Sequence, residues 1–362
     1  MNTIKLNLKN RSYAICIEKG LILKTGCLLK KINVGKDAII ITNKYIKKRF
    51  GTKVKNSLLK HNFSCKFLTV PDSEKAKSIK YCFDLIDKIS KYDKKKQLFL
   101  IALGGGVIGD LTGFVASIYK RGVPYIQIPT TLLAQIDSSI GGKTAIDLKV
   151  AKNLVGAFYQ PKLVIVDPGL LQSLPPRQLR SGLAEVIKYA LIKDKSLFSF
   201  LKNNQRKILS FEKNAIELIE RKCIAIKAKV VEIDEQEKKG IRTILNFGHT
   251  IGHALESAAK YTAYSHGEAI SLGMVCAAEI ANNLNILSKS DLNKIIGIIK
   301  LFNLPVKIRG VSLNKILDSL SRDKKFVKAK NRFVLPKTIG RVIVKKNIPE
   351  TIIKKAILKY SK

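Results

Sequence analysis

The chain has 362 residues, room for roughly two domains at about 150 residues each, which excludes a small disulfide-stapled module. Hydrophobic residues make up 46% and charged residues 26%, ordinary globular usage that excludes a disordered tail or a fibre. The 67 basic against 27 acidic residues give a formal charge of +40, but residues 97–176 carry only six Lys or Arg against four Asp, so the excess lies on polar faces outside the middle of the chain.

Residues 1–11 alternate polar and apolar and lack the apolar segment of a signal peptide. The elements then come in alternation: β-type runs at 37–42, 66–70 and 97–103, each followed by a helical pattern, at 44–59, 75–90 and 109–119. Strands separated by helices of this length need crossovers, so the spacing predicts a parallel sheet with helices on both faces. The longest apolar stretch, 98–119, carries Asp110 and the glycines 104, 105, 106 and 109, which argues against a membrane span. Two further strand-like runs follow at 125–129 and 163–167, and Leu174-Pro175-Pro176 breaks the pattern. Beyond it the apolar spacing is helical, at 183–191, 215–231 and 268–281. The expected division is an α/β nucleotide-binding domain over 1–175 and a mostly α-helical domain over 176–362. The six cysteines form no C-x-x-C pair and read as reduced structural residues of a soluble cytoplasmic protein.

Three segments carry chemistry. Gly104, Gly106 and Gly109 fit G-x-G-x-x-G between a strand run and a helical pattern, where small residues let backbone N–H groups approach a pyrophosphate. The ribose-binding acid expected about 20 residues later is missing. In 137–144 the sequence Gly-Lys-Thr resembles a P-loop, but Asp137 stands where that loop needs glycine, so an ATPase or GTPase reading is rejected. What remains is a glycine-rich turn presenting Lys143 beside Asp137, suited to a sugar hydroxyl or phosphate. The third segment is histidine: the chain has four, and His249, His253 and His266 lie within 18 residues. His249 and His253 share a helix face at i, i+4, and Glu185, an acid on an otherwise apolar helix, is the candidate to complete a zinc site with an open position. Lys188, Lys227, Arg242 and the pair Lys324 and Lys325 are candidate cations around it, with Arg242 placed as a phosphate or carboxylate clamp.

Gly-Gly-Gly-Val-Ile-Gly-Asp at 104–110, the run 129–144, Ala-Glu-Val-Ile-Lys-Tyr at 184–189, the run 246–256, His-Gly-Glu-Ala at 266–269 and Asp-Lys-Lys at 323–325 resemble, in order, the 3-dehydroquinate synthase family. The resemblance implies a Rossmann-like NAD-binding α/β domain followed by a helical metal domain, an active site between them and a homodimer. It implies conversion of 3-deoxy-D-arabino-heptulosonate 7-phosphate into 3-dehydroquinate and phosphate, the second shikimate-pathway step. Glu185, His249 and His266 match the metal ligands, for zinc or cobalt. His253, which spacing alone would have made a fourth ligand, matches a substrate-site residue. The resemblance assigns NAD contacts to Asp72, Ser73, Glu74, Lys75, Ala76, Lys77, Gly106, Val107, Ile108, Gly109, Asp110, Thr130, Thr131, Lys143, Lys152, Leu170, Leu171, Gln172 and Ser173. It assigns substrate contacts to Asp137, Lys143, Lys152, Asn153, Lys188, Lys227, Arg242, Asn246, His253 and Lys324, with Arg121 reaching the partner subunit's phosphate. Ala151, Tyr159 and a run at 237–240 one residue longer than usual depart from the family pattern.

Two other readings remain open on residues alone. Another sugar-phosphate cyclase or a metal-dependent alcohol dehydrogenase shares the two-domain plan, and the dehydrogenase differs by accumulating NADH. A nucleic-acid-binding protein would suit the charge, but no zinc-finger spacing, RNA-recognition aromatic motif or basic tail is present.

Overall fold

The structure is a computed structural model that describes residues 1–94, 96–148, 151–321 and 331–361. The chain divides into two compact units: Met1–Leu174 with Ile216–Glu232, and Pro175–Ala215 with Ile233–Lys362. The single cut near 175 expected from the sequence therefore leaves out the segment 216–232, which packs with the first unit.

Among the described residues the first unit has nine strands, β1 (Asn2–Leu6), β2 (Tyr13–Ile17), β3 (Asp37–Asn43), β4 (Ser64–Val70), β5 (Leu98–Gly104), β6 (Tyr125–Pro129), β7 (Lys143–Ile146), β8 (Val155–Phe158) and β9 (Leu163–Val166). Seven form one sheet in the order β1-β2-β9-β6-β5-β3-β4, parallel except for the antiparallel β1/β2 pair. Because side chains alternate across a strand, each buried strand feeds two cores. Ile40, Phe99, Ile101 and Ile126 pack on one face with Leu28, Leu29, Val54 and Leu58. Ile39, Ile41, Leu98 and Leu100 pack on the other with Leu85 and Ile89 of the helix Ile79–Tyr92 and Leu111 and Val115 of the helix Gly106–Ile118. A third cluster explains the returning segment: Ile224, Ala228 and Val231 of the helix Lys213–Ile233 cover Ile15, Ile17, Val164 and Val166.

The helical pattern expected from residue 75 starts later, because Glu74–Ala76 forms a single 3-10 turn before the helix opens at Ile79. The β1/β2 pair and the antiparallel hairpin of β10 (Arg332–Thr338) and β11 (Arg341–Lys346) in the second unit were not foreseen.

The remaining regular elements among the described residues of the second unit are helices. Pro176 occupies the first turn of the helix Pro176–Lys193, where its missing N–H costs nothing. Ser265 and Glu268 form a capping box that starts the helix His266–Asn283, and Arg177 holds Glu268 at 2.7 Å. Gly248, at φ 78°, starts the helix His249–Ala258. A Cβ on Gly273 would overlap the Gly248 carbonyl, so only glycine lets the helices 249–258 and 266–283 approach this closely. No helix among the described residues is long and apolar enough to cross a membrane.

Candidate active site

Three helix positions converge in the second unit. Glu185, fully buried, lies mid-helix in 176–193, while His249 and His266 are each the first residue of their helices. The Gly267 N–H donates to Ser181 Oγ at 3.0 Å, pinning the start of the His266 helix to the Glu185 helix one turn away. Glu185 Oε1 is 3.6 Å from His249 Nε2 and 3.6 Å from His266 Nε2, and one ligand atom from each of the three lies within 4.8 Å of the others. Tetrahedral zinc with bonds of about 2.1 Å spaces its ligand atoms roughly 3.4 Å apart, so this donor set fits a divalent cation. The ring centroid of His253 stands 5.2 Å from that of His249 and 6.2 Å from that of His266.

Electrostatics separates the two imidazoles. Burial, then the charge of Lys188 and the neighbouring rings, pushes His249 well below the usual histidine range, which leaves it neutral and able to ligate. Burial acts the same way on His266, but the carboxylates of Glu185 and Glu256 outweigh it and raise the ring to about 10. Lys188, 2% exposed, closes the buried cluster through an ion pair with Glu185 Oε2.

Of the other expected substrate residues in this unit, Arg242 is buried. Its Nη1 donates to the Glu235 carbonyl at 2.7 Å and its Nε lies 3.4 Å from Glu237, while Asp234 accepts its backbone N–H at 3.1 Å. Asn246 ends the same 3-10 segment, Arg242–Asn246, three residues before His249. Lys324 and its neighbours Asp323 and Lys325 lie outside the described residues.

In the first unit Lys227 Nζ, from the returning helix, donates to Asp137 Oδ1 at 2.7 Å and to the Asp137 carbonyl at 2.6 Å. Lys143 is exposed at the start of β7.

The glycine turn stands at the carboxyl end of β5, where open α/β sheets bind ligands. A Cβ on Gly106 would sit 3.1 Å from Ser138 Oγ, and one on Gly109 2.9 Å from Gln127 Oε1. Around it lies an ionic clasp: Lys77 Nζ donates to Asp110 Oδ2 at 2.7 Å and to Asn153 Oδ1, and Lys152 Nζ is 3.7 Å from Glu74 Oε2. Burial opposes the charge of Lys77, but Asp110, Glu74 and Asp147 prevail and raise its pKa. The clasp joins four residues expected at NAD (Glu74, Lys77, Asp110, Lys152) to Asn153. Thr130 N–H donates to the Gly104 carbonyl at 3.0 Å and a Cβ on Gly105 would sit 3.2 Å from Thr131 Cγ2, so both lie beside the same turn. Asp72 accepts from Asn43 Nδ2 at 2.7 Å. The side chains of Ala76, Ile108, Leu170 and Leu171 are buried in the core, which leaves only their backbone for a ligand; Ser73, Lys75, Val107, Gln172 and Ser173 are exposed or half-buried.

Sequence reasoning missed Asn43, Asp234 and Glu256. Asn43 directly ends the apolar strand run 37–42, the position next to a nucleotide turn in such sheets, and Glu256 is three residues after His253 on the same helix face.

A parallel-sheet unit with a glycine turn at its carboxyl edge, joined in one chain to a helical unit holding a Glu–His–His triad, has the overall fold of cyclases solved with NAD+ and a divalent metal. Two of them match over nearly the whole chain. The 2-epi-5-epi-valiolone synthase of Streptomyces hygroscopicus subsp. jinggangensis, with NAD+ and Zn2+ bound, is 26% identical with a TM-score of 0.88, covering 98% of each chain. A 2-deoxy-scyllo-inosose synthase complexed with carbaglucose-6-phosphate, NAD+ and Co2+ is 25% identical with a TM-score of 0.89, covering 99% of this chain and 100% of the other. The family models for the 3-dehydroquinate synthase N-terminal and C-terminal regions match residues 67–181 and 182–326. The 3-dehydroquinate synthase of Desulforamulus reducens is 45% identical over 351 residues, 97% of this chain and 98% of the relative. The chain belongs to the 3-dehydroquinate synthase family.

Proposed function

We propose that the protein converts 3-deoxy-D-arabino-heptulosonate 7-phosphate into 3-dehydroquinate and phosphate, with NAD and one divalent cation, zinc or cobalt, as cofactors. The observation that carries this reading is the Glu185–His249–His266 triad in a chain of this family. The valiolone and inosose synthases above, which hold NAD+ with Zn2+ or Co2+, support the cofactors.

Phosphate leaves poorly from an unactivated carbon; oxidation of the neighbouring C5 hydroxyl acidifies the adjacent C–H and permits β-elimination. When bound, NAD supplies a temporary hydride store and the cation a Lewis acid for substrate hydroxyls. The chain's own residues do the rest. Glu185 and the Nε2 atoms of His249 and His266 hold the cation. The glycine turn at 104–109 gives a pyrophosphate close approach to backbone N–H groups, with Thr130, Thr131 and the Lys77–Asp110 clasp beside it.

In the second unit Lys188, Arg242, Asn246 and His253 bind and orient the phosphorylated acid, and His253 moves the proton at the C5 hydroxyl, with the substrate phosphate as the elimination base. Lys324 belongs to the same proposed set. In the first unit Asp137, Lys143, Lys152, Asn153 and Lys227 complete the proposed substrate residues. Full turnover by His253→Ala would refute the proton-transfer role.

We also propose a cytoplasmic homodimer in which Arg121 serves the partner's site. Lys120 and Arg121 stand at φ 49° and 63° before Gly122 at 128°, a strained turn that leaves Arg121 exposed. Sedimentation of the pure protein checks the dimer, and Arg121→Ala mixed with an active-site variant checks the exchange.

The deciding experiment mixes pure protein, catalytic NAD, zinc and the heptulosonate phosphate. Equal release of phosphate and dehydroquinate without lasting NADH absorbance supports the assignment; accumulating NADH without phosphate would replace it with a dehydrogenase.

A further inference from the structure

We propose that Glu256 is a positioning residue for the metal centre: its carboxylate holds the Nδ1–H of His266 and so fixes Nε2 as the atom that ligates. The inference rests on the metal reading above and deepens it.

An imidazole offers two nitrogens, and the partner of one decides what the other can do. In His249 the division is plain. Nε2 faces Glu185, and Nδ1 lies 3.1 Å from the Phe247 carbonyl, which can only accept, so the proton sits on Nδ1 and Nε2 is bare. His266 repeats the arrangement with a different outer group: Nε2 lies 3.6 Å from Glu185 Oε1 and Nδ1 3.4 Å from Glu256 Oε1.

Both rings open helices, whose free N–H groups cannot accept a ring proton, so each needs an acceptor from outside its helix. For His249 it is the Phe247 carbonyl in the turn just before. For His266 the acceptor comes from another element. Glu256 provides it from the helix 249–258, three residues after His253 and seven after His249, on the face those rings occupy. Its side chain is only 12% exposed, a poor place for a carboxylate without a cationic or N–H partner. The outer group of His266 is thus an anion where that of His249 is a neutral carbonyl, and a charge-assisted hydrogen bond orients a ring more firmly than a neutral one.

His253, Glu256 and His266 also bring one ligand atom each within 4.8 Å of one another. A second cation there would need Nδ1 of His266 as a ligand and would strip that ring of its remaining proton, so the positioning role is favoured.

The test uses the full-length protein with Glu256→Ala, Glu256→Gln and Glu256→Asp, and His266→Ala as the ligand-loss reference. Zinc affinity is read by competition with a chromophoric chelator, coordination by the visible spectrum of the Co2+ form, and integrity by NAD affinity and melting of the metal-free protein. The expected result is one zinc per chain throughout, bound about 10–100-fold more weakly in Glu256→Ala with a changed cobalt spectrum, a smaller loss in Glu256→Gln, whose amide oxygen still accepts, and recovery in Glu256→Asp. Parent-like zinc affinity and cobalt spectrum in both Ala and Gln variants would overturn the inference while leaving the metal site intact. Stoichiometry falling from two zinc to one would also overturn it and make Glu256 a ligand. A parent protein that takes up no zinc would bring down the metal reading itself, and this inference with it.

Discussion

Lys188→Met separates the ion pair at the centre of the second unit from the metal that the same carboxylate would hold. Lys188 is 2% exposed and Glu185 fully buried, and the two pair from positions i and i+3 of one helix. Removing one partner of a buried pair costs about 3–5 kcal/mol, because the remaining charge loses its compensation in a medium that solvates it poorly. Glu185 keeps His266 at 3.6 Å, which places the variant near 3 kcal/mol. At about 2–4 °C per kcal/mol for a unit of this size, metal-free Lys188→Met should melt roughly 6–12 °C below the parent.

Metal affinity should move the other way. After burial, Lys188 is the strongest influence lowering the proton affinity of His249, and the same repulsion acts on any cation that enters the triad. Its removal should tighten zinc binding about tenfold or more, roughly 1.4 kcal/mol per decade, so that saturating zinc restores much of the lost stability. Turnover should still fall, since the ammonium proposed to bind substrate is gone. The assays are thermal melts in chelator and in zinc, and zinc competition. Weaker zinc binding by Lys188→Met than by the parent would refute the reasoning, because it would make Lys188 an organiser of the triad and not its competitor.

Gly106→Val should weaken NAD binding tenfold or more by calorimetry, since a side chain there fills the approach to the turn within 3.1 Å of Ser138 Oγ; unchanged affinity would remove the turn from the cofactor site. Gly297→Ala, inside the helix Lys289–Leu301 with nothing within 4 Å of the new Cβ, should add about 0.5–1 kcal/mol of stability by denaturant titration at unchanged turnover. Asp234 accepts backbone N–H groups from Lys239 at 3.0 Å and Arg242 at 3.1 Å; burial pushes its pKa up, but these bonds outweigh it and hold it below the usual range. A depressed folded pKa gives stability that is present above the unfolded value near 3.9 and lost as pH falls through the folded one. Asp234→Ala should therefore cost about 2 kcal/mol at pH 7 and progressively less below pH 3.5, and a pH-independent loss would contradict it. Glu220 is fully buried, both its oxygens lack a hydrogen-bond partner among the described residues, and burial, then Glu217 and Asp167, push its pKa well up. Here the sign reverses: the penalty opens above the unfolded pKa near 4.3 and grows with pH, so Glu220→Leu should stabilise by on the order of 1–2 kcal/mol at pH 8, the gain shrinking toward pH 4.

The legible part of the fold is the part in which one physical rule dominates. Strands β3, β5, β6 and β9 are buried on both faces, so they read as short continuous apolar runs, and the helices between them force parallel crossovers. β1 alternates, with only Leu6 buried, and its antiparallel partner β2 follows a 3-10 turn with no hairpin signature. The helix 213–233 was legible as a helix, but an apolar stripe does not say which core it covers. Ile224 and Val231 meet β2 and β9 instead of the helices that precede them in sequence.

In the site, scarcity made the histidines visible, and an acid amid apolar neighbours marked Glu185. Spacing could not rank the three imidazoles, because that ranking depends on helix ends. His249 and His266 both open helices, where the positive end of the peptide dipoles disfavours a proton on the ring. The same field also opposes the metal. Two helix starts therefore make a cation site only if anions outweigh them, and the structure places two there, Glu185 at 3.6 Å from both Nε2 atoms and Glu256 at 3.4 Å from His266 Nδ1. The first was legible because it breaks an apolar pattern. The second was hidden because an acid near the exposed end of a helix looks like any solvated surface residue until the turn that follows brings His266 back against it.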